Sequence, residues 1–346
     1  MSLTSAMSLN GSPKKRILLI GRILSLVLLA MAALLSGRST VYFDPSGLLF
    51  VIVGGAAGAL MTFSCGEIRA AFAHAGGALG SVDELRRSAL FWEAAARNFW
   101  MLGVLRSIMS FVISLGSLSG GPSALASSLA DSLLAALYGM VLAVVCYVPY
   151  WKLERQRRRP SAPDRTIPPV LPAQGEVGNW KFSHIVGYAL FVAILVSTLL
   201  RPAVAGIGAA VGWIVYWPSL LVVFGGTLAL VLFLGSGARE SAISTGFAVT
   251  GIIGSLMGLV QVLWGISAGS IEDISSALTF ILSSCFAAML GMFLLGAPLE
   301  DRAAKGLGET ARLPISRAAW YVFPLLALVF LVAVFVLVVT PFEKPR

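Results

Sequence analysis

Charge is the scarcest property of this chain. Asp, Glu, Lys and Arg make up 12% of its 346 residues against 58% hydrophobic ones, and the mean hydropathy is +0.89, a balance that excludes an ordinary soluble domain. Cysteine is nearly absent too. Cys65, Cys146 and Cys285 lie far apart with no CxxC spacing, so neither a disulfide framework nor a thiolate metal centre is expected. No nucleophile, base and orienting group occur as a set, which disfavours an enzyme, and nothing calls for a cofactor or a metal. The formal charge of +9 sits in loops between apolar runs instead of alternating with aromatics, so nucleic acid is not an expected partner. The most telling absence lies within the apolar runs, none of which has an acidic residue near its middle. Glu67, Asp131, Glu272 and Asp273 fall at run ends or in loops, and His184 opens the fifth run. A proton relay needs titratable groups at depth, so this chain is not expected to carry protons unaided.

What is present is long apolar runs. A spanning helix needs roughly 20 mostly apolar residues, and nine stretches approach or meet that length: 17–35, 47–63, 99–118, 133–151, 185–200, 219–234, 247–266, 274–295 and 319–340. Residues 203–217 are apolar and Gly-rich and end before Pro218, which allows a re-entrant piece or an extension of the neighbouring helices. The expected fold is therefore an all-α polytopic membrane protein surrounded by lipid. The alternative of a cleaved signal peptide at 14–37 is weaker, because the run is long and interrupted by Arg22. Basic residues set the orientation. Lys14, Lys15, Arg16, Arg69, Arg86, Arg87 and the basic residues of 152–159 and 302–317 fall on one side, with Arg38, Arg201, Lys344 and Arg346 on the other. By the positive-inside rule the N-terminus is cytoplasmic and the C-terminus outside, with Trp320 and Tyr321 in an aromatic belt at the inner end of the last helix.

The sequence also repeats itself. Tyr42-Phe43-Asp44-Pro45-Ser46, an apolar run and Gly54-Gly55 correspond to Tyr216-Trp217-Pro218-Ser219, an apolar run and Gly225-Gly226. Gly103-Val104-Leu105-Arg106-Ser107-Ile108-Met109-Ser110 aligns without gaps on Gly251-Ile252-Ile253-Gly254-Ser255-Leu256-Met257-Gly258, and Pro149 and Pro298 are expected to close the fourth helix of each half. Four spans per half is an even number, so the halves are parallel repeats. The expected organisation is a first repeat over 1–151, a basic Pro-rich cytoplasmic linker over 152–183, a second repeat over 184–300, and a connector with one C-terminal spanning helix over 301–346.

At these residues the chain resembles the MotA/TolQ/ExbB proton-channel family, most closely its MotA branch. The Pro-Ser, apolar run, Gly-Gly pattern is similar to the family's second helix. Gly251 to Gly258 is similar to its third, and 133–149 followed by Trp151-Lys152-Leu153-Glu154 to its fourth. The likeness covers most of 17–300 and is more specific in the second half. It implies a subunit of an ion-gradient-driven inner-membrane complex, homo-oligomeric, working with a single-span partner whose intramembrane Asp carries the ion. The loop between second and third helices, 65–98 in one half and 235–245 in the other, departs from the large one expected for flagellar torque. Counting back from the prolines, the fourth-helix hydroxyl position holds Ala136 in one half and Cys285 in the other.

Four serines follow as candidates for an ion path or partner contact: Ser107, Ser255, Ser283 and Ser284. Each has a plainer reading as a hydroxyl bonded to its own helix, or a small packing residue. Arg106, well inside an apolar run, either snorkels to the cytoplasmic surface or is a fixed charge that opposes cations in the first half. Gly54, Gly55, Gly225 and Gly226 are assigned to helix packing. Two other functions remain open, a non-conducting scaffold of the same fold and a small-solute transporter.

Overall fold

In the computed structural model, residues 44–115, 121–157, 177–199, 216–234, 239–268, 271–307 and 314–339 are described, and all of their regular structure is helical. The chain divides into Met1–Pro45, which holds the expected first span and is almost wholly outside the described residues, and Ser46–Arg346. The expected re-entrant stretch also lies outside them, except for Tyr216 and Trp217.

The helices are α1 (Pro45–Thr62), α2 (Cys65–Gly76), α3 (Val82–Leu115), α4 (Gly121–Arg157), α5 (Val177–Leu199), α6 (Trp217–Leu220), α7 (Gly226–Leu234), α8 (Arg239–Ala268), α9 (Ile271–Gly291), α10 (Ala297–Leu307) and α11 (Pro314–Val339). Short π turns, Leu221–Gly225 and Met292–Gly296, join α6 to α7 and α9 to α10. Four stretches are long and apolar enough to cross a membrane: Pro45–Thr62, Ser132–Arg157, Ala242–Trp264 and Ser276–Arg302. Shorter apolar helices occupy Phe182–Ser197, Trp217–Ala229 and Ala318–Ala333. The fold is a polytopic membrane all-α fold.

Both Pro-Ser pairs sit where a helix starts. Pro45 is the first residue of α1 and Pro218 the second of α6, positions where the missing N–H has no helical partner to lose. The region between α1 and the third apolar run is helical as well, not only a loop. Ser64 and Glu67 form a capping box at the start of α2, Ser81 and Glu84 exchange the same pair of bonds at the start of α3, and Gly77, at φ 110°, ends α2. Phe72 packs on Phe91 and Trp92 and holds α2 against α3, and Phe63, just after α1, packs edge to face on Phe91. With 34 residues, α3 is roughly 51 Å long at 1.5 Å per residue, longer than a bilayer core of about 30 Å, and apart from Arg106 its charged residues, Asp83, Glu84, Arg86, Arg87, Glu93 and Arg97, all lie in its first half.

The expectation that Pro149 and Pro298 end the fourth helices is overturned. Pro149 lies inside α4, which continues to Arg157, and Pro298 lies one residue into α10. Pro298 has no N–H to give the carbonyl four residues back, Leu294. The chain widens into the π turn there, and Tyr188 Oη donates to Leu294 O at 2.9 Å, so the freed acceptor is satisfied from a neighbouring helix. The ends of the expected linker are likewise helical, in α4 up to Arg157 and in α5 from Val177.

One continuous apolar core runs from Phe50 through Met101, Ile108, Phe191, Phe247, Phe286 and Phe293 to Leu331. Glycines set its closest approaches. A Cβ on Gly139 would lie 2.5 Å from Phe99 O and 2.8 Å from Gly103 Cα, so α3 and α4 cross in backbone contact. Gly54 faces Leu102, Gly55 lies under the Phe99 ring and Gly226 against Thr250. Gly225 departs from the packing expected of it. It ends the π turn on an exposed face, with nothing within 4 Å of where a Cβ would stand.

Candidate functional site

Two helix pairs pack as hairpins, α3 with α4 and α8 with α9, and the candidate serines lie on these helices. Ser107 and Ser255 are fully buried. The Ser107 hydroxyl lies 2.9 Å from Gly103 O and 2.5 Å from Ser132 O. Ser255 Oγ is 2.8 Å from Gly251 O and 3.1 Å from Cys285 Sγ. Each serine thus bonds back one turn along its own helix and also across to its hairpin neighbour, Ser107 to α4 and Ser255 to α9.

The structure brings the other two serines to the same hairpin. Ser283 Oγ is 2.6 Å from Ser219 Oγ, which ties α9 to the start of α6. Ser284 is fully buried, its hydroxyl has no hydrogen-bond partner, and it packs where a Gly254 side chain would be, 2.6 Å from the Cβ position. On the other side of α8, Thr227 and Thr250 share a 3.1 Å hydrogen bond. Among the described residues, the buried polar groups from Thr250 to Ser284 are all hydroxyls, so this hairpin is lined by neutral donors and acceptors.

Arg106 is buried, and its guanidinium donates to Ser110 Oγ, one turn further along α3. It therefore reaches away from Arg97, whereas a snorkelling side chain would reach back toward the polar start of α3.

A second cluster lies at the end of the bundle expected to be the inner one, among residues the sequence does not single out as a site. Arg97 Nη2 meets Asp301 Oδ2 at 2.6 Å, with side-chain exposures of 4% and 2%. The same guanidinium stands 4.2 Å over the Trp320 ring. Trp320 Nε1 donates to Glu300 Oε2 at 2.7 Å, and Ser244 Oγ donates to the same oxygen at 3.0 Å. Four helices, α3, α8, α10 and α11, meet on these side chains. Trp320 is buried here and so does not belong to the expected aromatic belt, while its neighbour Tyr321 hydrogen bonds Tyr147 of α4. A charged residue next to an apolar run reads as interfacial in sequence. Only the fold shows that Arg97, Glu300 and Asp301 face inward together.

Residues 71–162 match the MotA/TolQ/ExbB proton channel family. The match runs from within α2 through α3 and α4, and points to a membrane channel-type function. It lies in the first half, not in the second, where the motifs were read as more specific. Neither a curated protein nor a solved structure matches the chain.

Proposed function

We propose that the chain is a MotA-like subunit of an ion-gradient-driven complex in a bacterial inner membrane, assembled from several copies with a single-span partner that supplies the ion-carrying carboxylate. Its two halves are parallel four-helix repeats, the N-terminus is cytoplasmic and the C-terminus outside. The family match over 71–162 supports the class of function. The observation that carries the reading is the α8–α9 contact, where buried Ser255, Ser283 and Ser284 give polarity at mid-depth without a fixed charge. A path of this kind can solvate or hand on an ion but has no group of its own to bind a proton, hence the need for a partner.

The halves are unequal on this reading. Arg106 raises the barrier to cations beside α3–α4, because a fixed charge acts strongly in low dielectric. Among the described residues the two π turns lie at 221–225 and 292–296, in the second half, and such turns are frequent at functional sites. The test is ion flux in liposomes holding the complex purified from its own membranes. Ser255→Ala is expected to lower flux more than Ser107→Ala, and Arg106→Gly to leave it intact or raise it. Equal losses from the two serine changes, or collapse in Arg106→Gly with folding intact, would refute the assignment. A non-conducting scaffold is the second reading, favoured by the engagement of both the Ser107 and the Ser255 hydroxyls in hydrogen bonds. Absence of flux in the intact complex would decide for it.

A further inference from the structure

The C-terminal helix is not peripheral. α11 packs against α3, α8 and α9, that is, against the third helix of both halves. Trp320, Phe323, Ala327 and Leu331 form its buried face, while Val322, Leu325, Val329, Val332 and Val336 are exposed on the rest of its surface. Two contacts fix its direction. At the inner end, Trp320 and Ser244 share the Glu300 carboxylate. Further on, the Phe323 ring lies over Gly251, its Cζ 2.6 Å from where a Cβ would be. Both contacts advance in the same sense along both helices, so α11 runs parallel to α8, and one turn further on Ala327 comes level with Ser255. The seat depends on Gly251, since any side chain there would strike the Phe323 ring. α11 has no Asp or Glu between residues 319 and 340.

We infer that α11 is a carboxylate-free stand-in for the partner helix: it occupies, within the chain, a seat on Gly251 and Ser255 that accepts a spanning helix parallel to α8 and bearing a carboxylate at the depth of Ala327. This rests on the reading above, that a spanning carboxylate is the ion carrier. The inner-end cluster then acts as the anchor that holds the stand-in, through Trp320 on Glu300 and Arg97.

The consequence is a gain of function. Ala327→Asp places a carboxylate on the buried face beside Ser255, whereas Val329→Asp places one on the lipid face. The experiment reconstitutes the full chain, without a partner, in liposomes with an imposed pH gradient and a pH-sensitive dye inside. Ala327→Asp is expected to raise proton flux at least tenfold over the unmodified chain, and Val329→Asp to leave it unchanged. If Ala327→Asp does not fold, Ala327→Cys carrying a carboxyethyl methanethiosulfonate, attached after folding, takes its place, with the treated unmodified chain as control. The complex isolated with its partner is measured alongside. If that complex conducts and the Ala327 carboxylate adds nothing, or Val329→Asp gains as much, the seat is wrongly assigned and the proposed function stands. If neither the complex nor the modified chain conducts, the proposed function fails and this inference with it.

Discussion

Asp301→Ala probes the inner-end cluster most directly. It removes the carboxylate 2.6 Å from Arg97 in a pair whose side chains are 4% and 2% exposed, leaving a guanidinium in a site closed to water. Breaking a buried pair from one side costs about 3–5 kcal/mol. Two contacts soften the loss. The Trp320 face remains 4.2 Å away, worth up to about 2 kcal/mol when desolvated, and Glu300 also attracts Arg97 electrostatically. The expected destabilisation therefore lies near the lower end, about 3 kcal/mol. Arg97→Met alone leaves the Asp301 carboxyl buried without the guanidinium and should cost a similar amount. Arg97→Met with Asp301→Leu removes both charges, and such replacements are often neutral or stabilising by about 1–4 kcal/mol, so the double variant should recover most of the loss. Equilibrium unfolding in mixed micelles, followed by tryptophan fluorescence, measures all three against the unmodified chain. An Asp301→Ala variant within about 1 kcal/mol of that chain, or a double variant as unstable as either single one, would refute the view that a desolvated charge pair is at stake.

Gly139→Ala forces a methyl onto the Phe99 carbonyl and Gly103 Cα, atoms that cannot turn aside. It should cost about 1–3 kcal/mol, while Gly225→Ala, which meets open space, should be neutral or gain up to about 1 kcal/mol; thermal unfolding of the two compares them. Hydrogen bonds from the Ser81 backbone N–H and then from its side chain hold the Glu84 carboxyl below the usual carboxylate range. A lowered carboxyl pKa stabilises the folded helix start above the unfolded value and loses that stability as pH falls through the folded value. Protection against hydrogen exchange over the first turn of α3, measured relative to the intrinsic rate at each pH, should therefore fall at acid pH, and Glu84→Gln should flatten that response. The charge asymmetry predicts that Arg346 is outside and the basic linker inside; a reporter fused after Arg346 that reads as cytoplasmic would overturn the orientation.

Legibility from sequence followed the range of the interactions. Apolar runs long enough to span, Pro-Ser helix starts and third-helix serines are local patterns, and the structure places α1, α8 and α9 where those patterns lie. The capping boxes at Ser64 to Glu67 and Ser81 to Glu84 were equally local, as S-x-x-E, yet the polar stretch around them read only as loop. Pro149 and Pro298 misled because proline was weighed by its helix-breaking cost alone. The compensation at Leu294 comes from Tyr188, 106 residues away, and is invisible to any local pattern. The inner-end cluster lies furthest beyond reach, since Arg97 and Asp301 are 204 residues apart in sequence.

The difference between Arg106 and Gly254 has a steric cause as well as an electrical one. A side chain at Gly254 would strike Ser284 Oγ, 2.6 Å from the Cβ position. Counting fourteen residues back from each proline, the first-half counterpart of Ser284 is Ala135, which has no hydroxyl to clash with and leaves the third helix free to carry a large residue. In the register of the two hairpins the exchanges belong together: glycine is matched with serine in one, and arginine with alanine in the other, where Arg106 donates to Ser110 on its own helix. Restoring Arg at 254 would need Ser284 changed at the same time. Each hairpin is matched within itself, so an asymmetry in ion passage would reside in the pair of helices and not in one substituted residue.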